Sequence, residues 1–412
     1  MTPVLNRVRE PHVKQVVSVL LQVLTTVALS MNHLNMGVSV AFSGAFTEQI
    51  SSPDEHLQLT QSEVSWISSI TSIGNIVGYL MSSYLNPMFG AIRLCQLGAP
   101  VMVAGHMLVA FGSNFWMLFL GRLLQGLVYG VSGGATDMHI GEISSPKLRG
   151  FLTASMLTIA MVGITLSYLS GWLQGWRHMS LVMGVTPVVI MFTITLILPR
   201  SPRWLITKGH PVEEAKRSLR FYFGRDYDVD KEVKQIQESL GDKHKHNASF
   251  FHILGLLRHR HNLIPFLLIL ALYFFMVFSG GFTTTTFAPV IFKDVGGFSN
   301  PYMGSILVGV VRSIAAIICS IIMNKLHRRT LLVVNATVGG IGCLVTGCFF
   351  YYQEQLGEYA WVSLISILTI VFFFSLGVAT LKNVLFSELL PNSIRSQFAG
   401  LCLTWFGTTN FI

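Results

Sequence analysis

Eleven apolar runs constrain the fold of this chain more than any other feature of its sequence. Each run holds about twenty residues, and a helix of that length crosses the roughly 30 Å hydrocarbon core of a bilayer. We therefore predict eleven transmembrane helices. Their limits are 17–44, 64–85, 94–112, 115–141, 151–172, 179–198, 263–287, 301–323, 331–351, 359–387 and 396–412.

Composition agrees with a protein that resides in the lipid bilayer and excludes other classes. The chain is 51% hydrophobic and only 11% charged, whereas soluble domains carry about 25% charged residues. The net charge of +9 does not indicate nucleic acid, because the basic residues lie between apolar runs and not along one face. The five cysteines have no paired spacing, and no nucleophile with a base or phosphate loop is present. We expect no enzyme, no cofactor and no metal.

The distribution of basic residues predicts the orientation. Thirteen Lys or Arg occur from Arg200 to Arg260, on the same side as the N-terminus, whereas the opposite side has only Arg177 and Lys293. Cytoplasmic loops of membrane proteins are enriched in Lys and Arg. We therefore expect the N-terminus and the central loop to be cytoplasmic, in a multi-pass protein of the plasma membrane.

The same pattern divides the chain into four parts. We expect the central loop to contain one helix between Pro211 and Gly224 and a second after Asp230, because proline favours a helix start and glycine a helix end. The alternative is a charged tether with some helical content. The predicted parts are a cytoplasmic tail over 1–16, a six-helix half over 17–198, the loop over 199–262, and a second half over 263–412 with five helices.

The fourth run carries the most informative local pattern. A stripe of glycines at intervals of one to four residues leaves bare backbone, which a neighbouring helix can approach closely. Arg122 begins the run inside the apolar region, where a charge needs a partner. Glu142 ends it, and Arg149 follows seven residues later. The glycines are Gly126, Gly130, Gly133 and Gly134.

An internal repeat relates the two halves. The segment Glu142-x6-Arg149 ends the fourth run, and Glu388-x6-Arg395 ends the tenth with the same spacing. Two halves related by duplication predict a substrate site between them near the bilayer midplane. The repeat also predicts a twelfth helix, which would follow residue 412.

These residues resemble the sugar porter family of the major facilitator superfamily, particularly its insect trehalose and glucose carriers. The resemblance rests on Gly126-x3-Gly130-x11-Glu142-x6-Arg149 and on the Pro199–Leu205 segment Pro-Arg-Ser-Pro-Arg-Trp-Leu. It implies an all-α membrane protein of the major facilitator fold, with two six-helix halves and the second truncated after helix 11. It also implies transport of a small polar solute, a trehalose- or hexose-like sugar, by facilitated diffusion through alternating access.

The paired acids and arginines suggest a latch on the loop side. Ion pairs at helix ends can break when two halves rock apart. Glu142 is expected to meet Arg149 or a basic residue near Arg203; simple helix-end capping is the alternative. The residues assigned to this gating charge network are Arg122, Glu142, Arg149, Arg203, Arg328, Arg329, Glu388 and Arg395.

The substrate side departs from the family pattern. The glutamines that the resemblance implies in the fifth and seventh helices are absent, so hydroxyls and a few amides remain to bind a polyol. Hydroxyls in apolar helices commonly bond their own backbone instead. The candidate substrate-binding residues are Asn35, Ser279, Thr283, Thr284, Arg312, Lys382 and Asn383.

Buried charges suggest two further hypotheses. Asp137 lies inside the end of helix four, so it is either a proton-coupling site or a partner for a loop cation. Arg312 and Lys382 each cost roughly 2.5–3.5 kcal/mol near a helix centre, which suggests an anionic or strongly accepting solute. A non-transporting sensor or decayed copy is the other alternative, and the oligomeric state stays open.

Overall fold

The computed structural model describes residues 2–52, 57–145, 148–224, 227–241, 260–295, 300–322, 326–352, 359–389 and 395–411, and these contain helices and no strand. Within these described ranges, eight stretches are long and apolar enough to cross a membrane. The helices of the first half are α1 Thr2–Ile50, α2 Gln61–Phe89, α3 Ala91–Ala110, α4 Phe115–Ile143, α5 Arg149–His178 and α6 Thr186–Thr195.

The remaining helices form the loop and the second half. Those of the loop are α7 Pro202–Thr207, α8 Val212–Phe223 and α9 Val229–Gly241. Those of the second half are α10 Arg260–Phe278, α11 Gly281–Thr286, α12 Ala288–Val295, α13 Pro301–Ile322, α14 Arg328–Tyr351, α15 Ala360–Leu376, α16 Val378–Leu389 and α17 Arg395–Phe411.

Several predicted spans are interrupted. The fifth and sixth runs form one stretch of 47 residues, Arg149–Thr195, which includes a π-helical segment. As a straight helix it would extend about 70 Å, more than two hydrocarbon cores. Gly175 breaks it with a φ of 81°, a left-handed conformation that glycine adopts without a Cβ clash. In the second half, Gly280 with a φ of 80° separates α10 from α11.

Close packing of α2 on α4 confirms part of the predicted glycine stripe. A Cβ on Gly126 or Gly130 would overlap the backbone of α2, and Gly74 and Gly78 on α2 make the reciprocal approach to α4. The prediction was wrong for Gly134, because a Cβ there meets open space, and Gly133 faces the Tyr129 ring of its own helix. The stripe therefore serves one contact, which is confined to the middle of α4.

The loop helix α8 packs against α1 at the start of its apolar span. On α1, Ser18 Oγ and Gln22 Nε2 donate to the carbonyl of Tyr222 at 2.6 and 3.1 Å. Between α8 and α9, Lys216 Nζ lies 2.8 Å from Asp230 Oδ1. This hydrogen bond lowers the pKa of the Asp230 carboxyl and raises that of the Lys216 ammonium. We call this end of the bundle the loop side and the opposite end the far side.

The two halves meet on the far side through close backbone contact and polar bonds. A Cβ on Gly44 of α1 would overlap the carbonyl of Thr286 at the end of α11. Gln49 Nε2 donates to the Tyr302 hydroxyl at 2.7 Å, and that hydroxyl donates to Glu48 Oε2 at 3.2 Å. Lys293 Nζ lies 3.4 Å from Glu48 Oε1. These contacts join α1 to α12 and α13.

Candidate functional site

A cavity of about 440 Å³ lies between the two halves. Its walls come from the middle of α1, α2 and α4 in the first half, and from α10, α11 and α17 in the second. The volume is within the roughly 300–1,000 Å³ of small-molecule sites. Residues of both halves line it, and the repeat predicts a substrate site between the halves.

Arg122 is the centre of a buried hydrogen-bond network on the cavity wall that the first half provides. Only 1% of its surface is exposed. Its Nη1 donates to Ser39 Oγ at 2.9 Å and Gln125 Oε1 at 3.1 Å, and its Nη2 donates to Ser43 Oγ at 3.0 Å. The guanidinium also lies 4.7 Å from the centre of the Phe42 ring. The charge is thus held by neutral acceptors that line the cavity.

This location contradicts the predicted assignment of Arg122 to the loop-side latch. Arg122 lies in the first third of α4 and Glu142 next to its last residue. They are twenty residues apart, which is about 30 Å of helix. Because α4 crosses the bundle, two side chains this far apart along it cannot contribute to the same local network.

Asn35 lies on the cavity wall, but its amide is bonded to the protein. Its Nδ2 donates to the Gly184 carbonyl at 2.7 Å, and its Oδ1 lies 2.7 Å from His106 Nε2. Gln125 Nε2 lies 3.1 Å from His106 Nδ1. These distances fit a neutral imidazole with its proton on Nε2. Asn35 therefore links α1 to α3 and to the π-helical segment, and it positions the wall.

Four buried polar atoms on this cavity have no hydrogen-bond partner within the described part of the chain. Three are on α2, at Ser68 Oγ, Thr71 Oγ1 and Asn75 Oδ1, and the fourth is Asn410 Oδ1 on α17. An unpaired buried polar atom costs about 1–3 kcal/mol. Because their residues line the cavity, a hydrogen bond to a polar ligand there would offset this cost.

Sequence reasoning missed all four residues, although a signal for three of them was present. The polar positions Ser68, Thr71 and Asn75 recur at intervals of three and four residues within an otherwise apolar run. This spacing places them on one face of a helix. The sequence pattern therefore indicates a polar face on this helix. The family resemblance instead placed predicted substrate contacts on helices one, seven and ten.

The predicted threonine cluster of the second half is divided by the structure. Thr283 lines the cavity, and so does Thr286, but Thr284 and Ser279 do not. Ser279 Oγ donates to the Met276 carbonyl at 2.7 Å and Thr284 Oγ1 to the Gly280 carbonyl at 2.7 Å. Both hydroxyls thus bond their own helices. The prediction that Ser279 and Thr284 bind the solute is wrong for this arrangement.

The two cations predicted to bind substrate, Arg312 and Lys382, line a different cavity. Arg312 and Lys382 contact a chamber of about 30 Å³ beside the central cavity. The side chain of Asn383 lies outside the described part of the structure, so its predicted role stays a prediction.

In the structure, a serine bonds Glu142 of the predicted loop-side latch. Glu142 accepts a hydrogen bond from Ser201 Oγ, which also caps α7 by accepting from the Trp204 amide. Arg149 Nη2 lies 3.5 Å from the Ser144 carbonyl. The end of α4 is therefore tied to the Pro199–Leu205 segment.

The remaining latch residues are only partly placed. Arg203 lies half-buried in α7, and Arg328 and Arg329 begin α14. The side chains of Glu388 and Arg395 lie outside the described residues. The gating role of this network stays a prediction.

The prediction of a loop cation as the structural partner of Asp137 is wrong. Asp137 Oδ1 lies 3.2 Å from Nε2 of His33 on α1, and the Asp137 side chain is 45% exposed whereas that of His33 is 8% exposed. The His33 ring meets the Tyr129 ring edge-on at 6.1 Å. The two residues approach because α1 and α4 are neighbours in the first half.

Solved structures with this architecture are membrane transporters. The xylose transporter XylE from E. coli, in a partially occluded inward-open conformation, matches with a TM-score of 0.77 at 21% identity, over 94% of this chain and 89% of that one. XylE bound to 6-bromo-6-deoxy-D-glucose matches with a TM-score of 0.78 at 20% identity, over 97% and 87%. At this identity the likeness establishes the fold. The chain has the major facilitator fold.

Sequence comparison identifies the family. The model of the family described as sugar (and other) transporter matches residues 21–412. The facilitated trehalose transporter Tret1 of Polypedilum vanderplanki is 28% identical over 395 residues, covering 95% of this chain and 78% of the relative. Tret1 of Apis mellifera ligustica is 27% identical, with the same coverage. The chain belongs to the sugar (and other) transporter family.

Proposed function

We propose that this chain carries a neutral mono- or disaccharide, of the trehalose or glucose class, down its concentration gradient. The observation that supports this most directly is the set of four unpartnered polar atoms on the central cavity, at Ser68, Thr71, Asn75 and Asn410. A polyol loses water from each hydroxyl on binding and needs a replacement partner. The cavity supplies hydroxyl and amide partners on both halves.

Aromatic and threonine residues complete the proposed site. Phe282, Phe287 and Phe406 contribute apolar area to the cavity, next to Thr283 and Thr286. Polar groups that fix orientation within a mostly apolar wall are typical of small-molecule sites. The named relatives are facilitated trehalose transporters, which agrees with a sugar of this class.

Facilitated diffusion follows from the charge of the lining. Proton coupling needs an acid that faces the transport pathway, and the described lining contains neither Asp nor Glu. The cation on the wall, Arg122, is bonded to serines and a glutamine. Loading and unloading of sugar therefore require no change of protonation at this site.

Alternating access would occur between residues 17–198 and 263–412 as two bodies. The Gln49–Tyr302–Glu48 bonds and the Lys293–Glu48 pair close the far side. We assign the loop side to the cytoplasm because the basic residues gather there. On this assignment, the far-side bonds must break for sugar to enter from outside.

The test is uptake of labelled trehalose and glucose by the purified protein in liposomes. Uptake should accelerate when unlabelled sugar is present inside, as for an exchanger, and an imposed pH gradient should drive no accumulation. Thr71→Val and Asn75→Ala should each reduce uptake roughly two- to tenfold, the kinetic equivalent of one lost hydrogen bond.

Thr193→Val is the matched control. Thr193 is an exposed threonine on α6 whose hydroxyl bonds the Val189 carbonyl at 2.8 Å, away from the cavity. Wild-type uptake in this variant is expected. Absence of uptake of both sugars by folded wild-type protein, or equal losses in the control and the cavity variants, would contradict the proposal.

A further inference from the structure

The second cavity combines an apolar wall with two cations. It holds about 30 Å³ and adjoins the central cavity, with which it shares Met36, Phe282 and Phe406. The first half contributes aliphatic side chains to it from α1 and α5, and the second half contributes Arg312 and Lys382. The chamber has room for one or two waters or a single small ion.

Arg312 is held in place from one edge only. It is 4% exposed, and its Nε donates to Ser375 Oγ at 3.1 Å. The guanidinium carbon lies 5.4 Å from the centre of the Phe374 ring. This is the hydrogen bond that the described residues give to Arg312, so the four N–H groups on its two Nη atoms have no described acceptor. A guanidinium group that is held through Nε is suited to bind an anion through its two Nη atoms.

Lys382 faces the same chamber from α16. Its Nζ lies 4.2 Å from the centre of the Phe406 ring and 5.8 Å from that of Tyr273. Aromatic faces attract an ammonium but accept its N–H groups only weakly. The described residues that line the chamber offer these groups no side-chain oxygen.

The described lining of this cavity contains no acid. Asp137 is not part of this lining, and its Oδ1 lies 3.2 Å from His33 Nε2. The Tyr168 hydroxyl donates to the Thr285 carbonyl. Two positive charges therefore share one apolar chamber, where mutual repulsion and lost hydration are unfavourable.

We propose that this chamber binds one singly charged anion of the size of chloride or a carboxylate group. The anion would accept hydrogen bonds from the Nη atoms of Arg312 and from the Lys382 ammonium, and would neutralise part of their charge at the boundary between the halves. It could be a free halide, or a carboxylate carried by a sugar acid that occupies the central cavity.

The experiment measures the melting temperature of the purified full chain during titration with sodium chloride. Sodium isethionate keeps the ionic strength constant, so that general screening does not contribute. A second titration, without chloride, uses glucuronate against glucose. Binding to the folded state raises the melting temperature with a saturable dependence on ligand.

Wild type should show saturable stabilisation by chloride, by glucuronate, or by both. Chloride alone identifies a free-ion site, and glucuronate alone identifies a carboxylate carried by the solute. Arg312→Gln should abolish the response, and Lys382→Gln should raise the half-saturating concentration about tenfold or more, since each removes a charge-assisted bond. Arg260→Gln, which removes an exposed cation at the start of α10, should keep the wild-type response.

Two controls keep the test decisive. Arg312→Lys retains the positive charge but not the guanidinium group, so it should show a weakened response. This variant provides the test if Arg312→Gln does not fold. Asp137→Asn removes a membrane-embedded acid that bonds His33 and does not line the chamber, and should leave chloride binding equal or tighter. A wild type without a saturable response to either anion overturns the proposal. So does loss of the response in Asp137→Asn, or its full retention in both Arg312→Gln and Lys382→Gln.

Discussion

At the scale of single residues, the wall of the central cavity depends on how each polar side chain is satisfied. Asn35 and Arg122 lie on the cavity, but their donors go to protein acceptors. Thr71 and Asn75 leave an oxygen unpaired. We infer that Asn35 and Arg122 stabilise the cavity wall, whereas Thr71 and Asn75 contact the solute. A polar residue in a membrane helix is therefore best interpreted through its bonding partners.

The substitution Arg122→Lys tests whether the protein needs the planar guanidinium group of this residue or only its positive charge. Lysine keeps the positive charge, but as a point donor it cannot reach Ser39, Ser43 and Gln125 together. Loss of one hydrogen bond to a charged group costs about 1.5–3 kcal/mol. We expect a lower melting temperature and reduced sugar uptake. Arg260→Lys, at an exposed position, is the control, and equal melting of the two variants would exclude a structural role for the guanidinium group.

At the scale of helices, the contact between α2 and α4 determines the position of the candidate site. Gly126 faces the carbonyl of Thr71, and Gly130 faces that of Asn75. Two of the three α2 residues with an unpaired polar atom, Thr71 and Asn75, therefore contact the glycine stripe through their backbone. Close backbone approach allows their side chains to reach the cavity edge, since no bulky α4 side chain separates the helices.

Two alanine substitutions on α4 should give opposite results. In Gly126→Ala the new methyl overlaps α2, which should destabilise the protein by about 1–3 kcal/mol and reduce uptake by displacing Thr71. Gly134→Ala places its methyl in open space and should be neutral or stabilise by up to about 1 kcal/mol, because alanine favours helix. Thermal melting and uptake of both variants provide the check. Similar losses in both would show that the α2 contact is not the cause.

At the scale of the whole molecule, the halves are joined on the far side and the loop helices cover the opposite end. The far-side bonds connect α1 to α12 and α13, whereas Ser18 and Gln22 fasten α8 to the first half alone. We infer that the loop helices move with the first half during alternating access. The far-side bonds are the ones that must open.

The orientation can be tested with single cysteines. Lys231→Cys on α9 and Ser52→Cys after α1 are both at exposed positions on opposite sides of the bundle. In cells expressing a variant with the five native cysteines replaced, an impermeant thiol reagent should label position 52 directly. Position 231 should label only after permeabilisation. Labelling of both positions in intact cells would show that the loop side is not cytoplasmic.

Much of the architecture was predictable from the sequence because its signals are local. Apolar length predicts membrane helices, and Pro211 and Gly224 bracket α8. The glycine stripe indicated close packing of α4, although its extent was overestimated at Gly134. The duplicated acid–arginine spacing and the family motif predicted two halves with a site between them.

Only the tertiary structure decided which residues form the candidate site. A hydroxyl in an apolar helix can bond its own backbone, as Ser279 and Thr284 do, or face a cavity, as Thr71 does. The sequence around each of them does not distinguish these outcomes, because helix rotation and the neighbouring helix decide between them. The same reason applies to Asp137, whose partner His33 is on another helix. The sequence determined the helices and their order, and packing determined which of their polar atoms stay free for a solute.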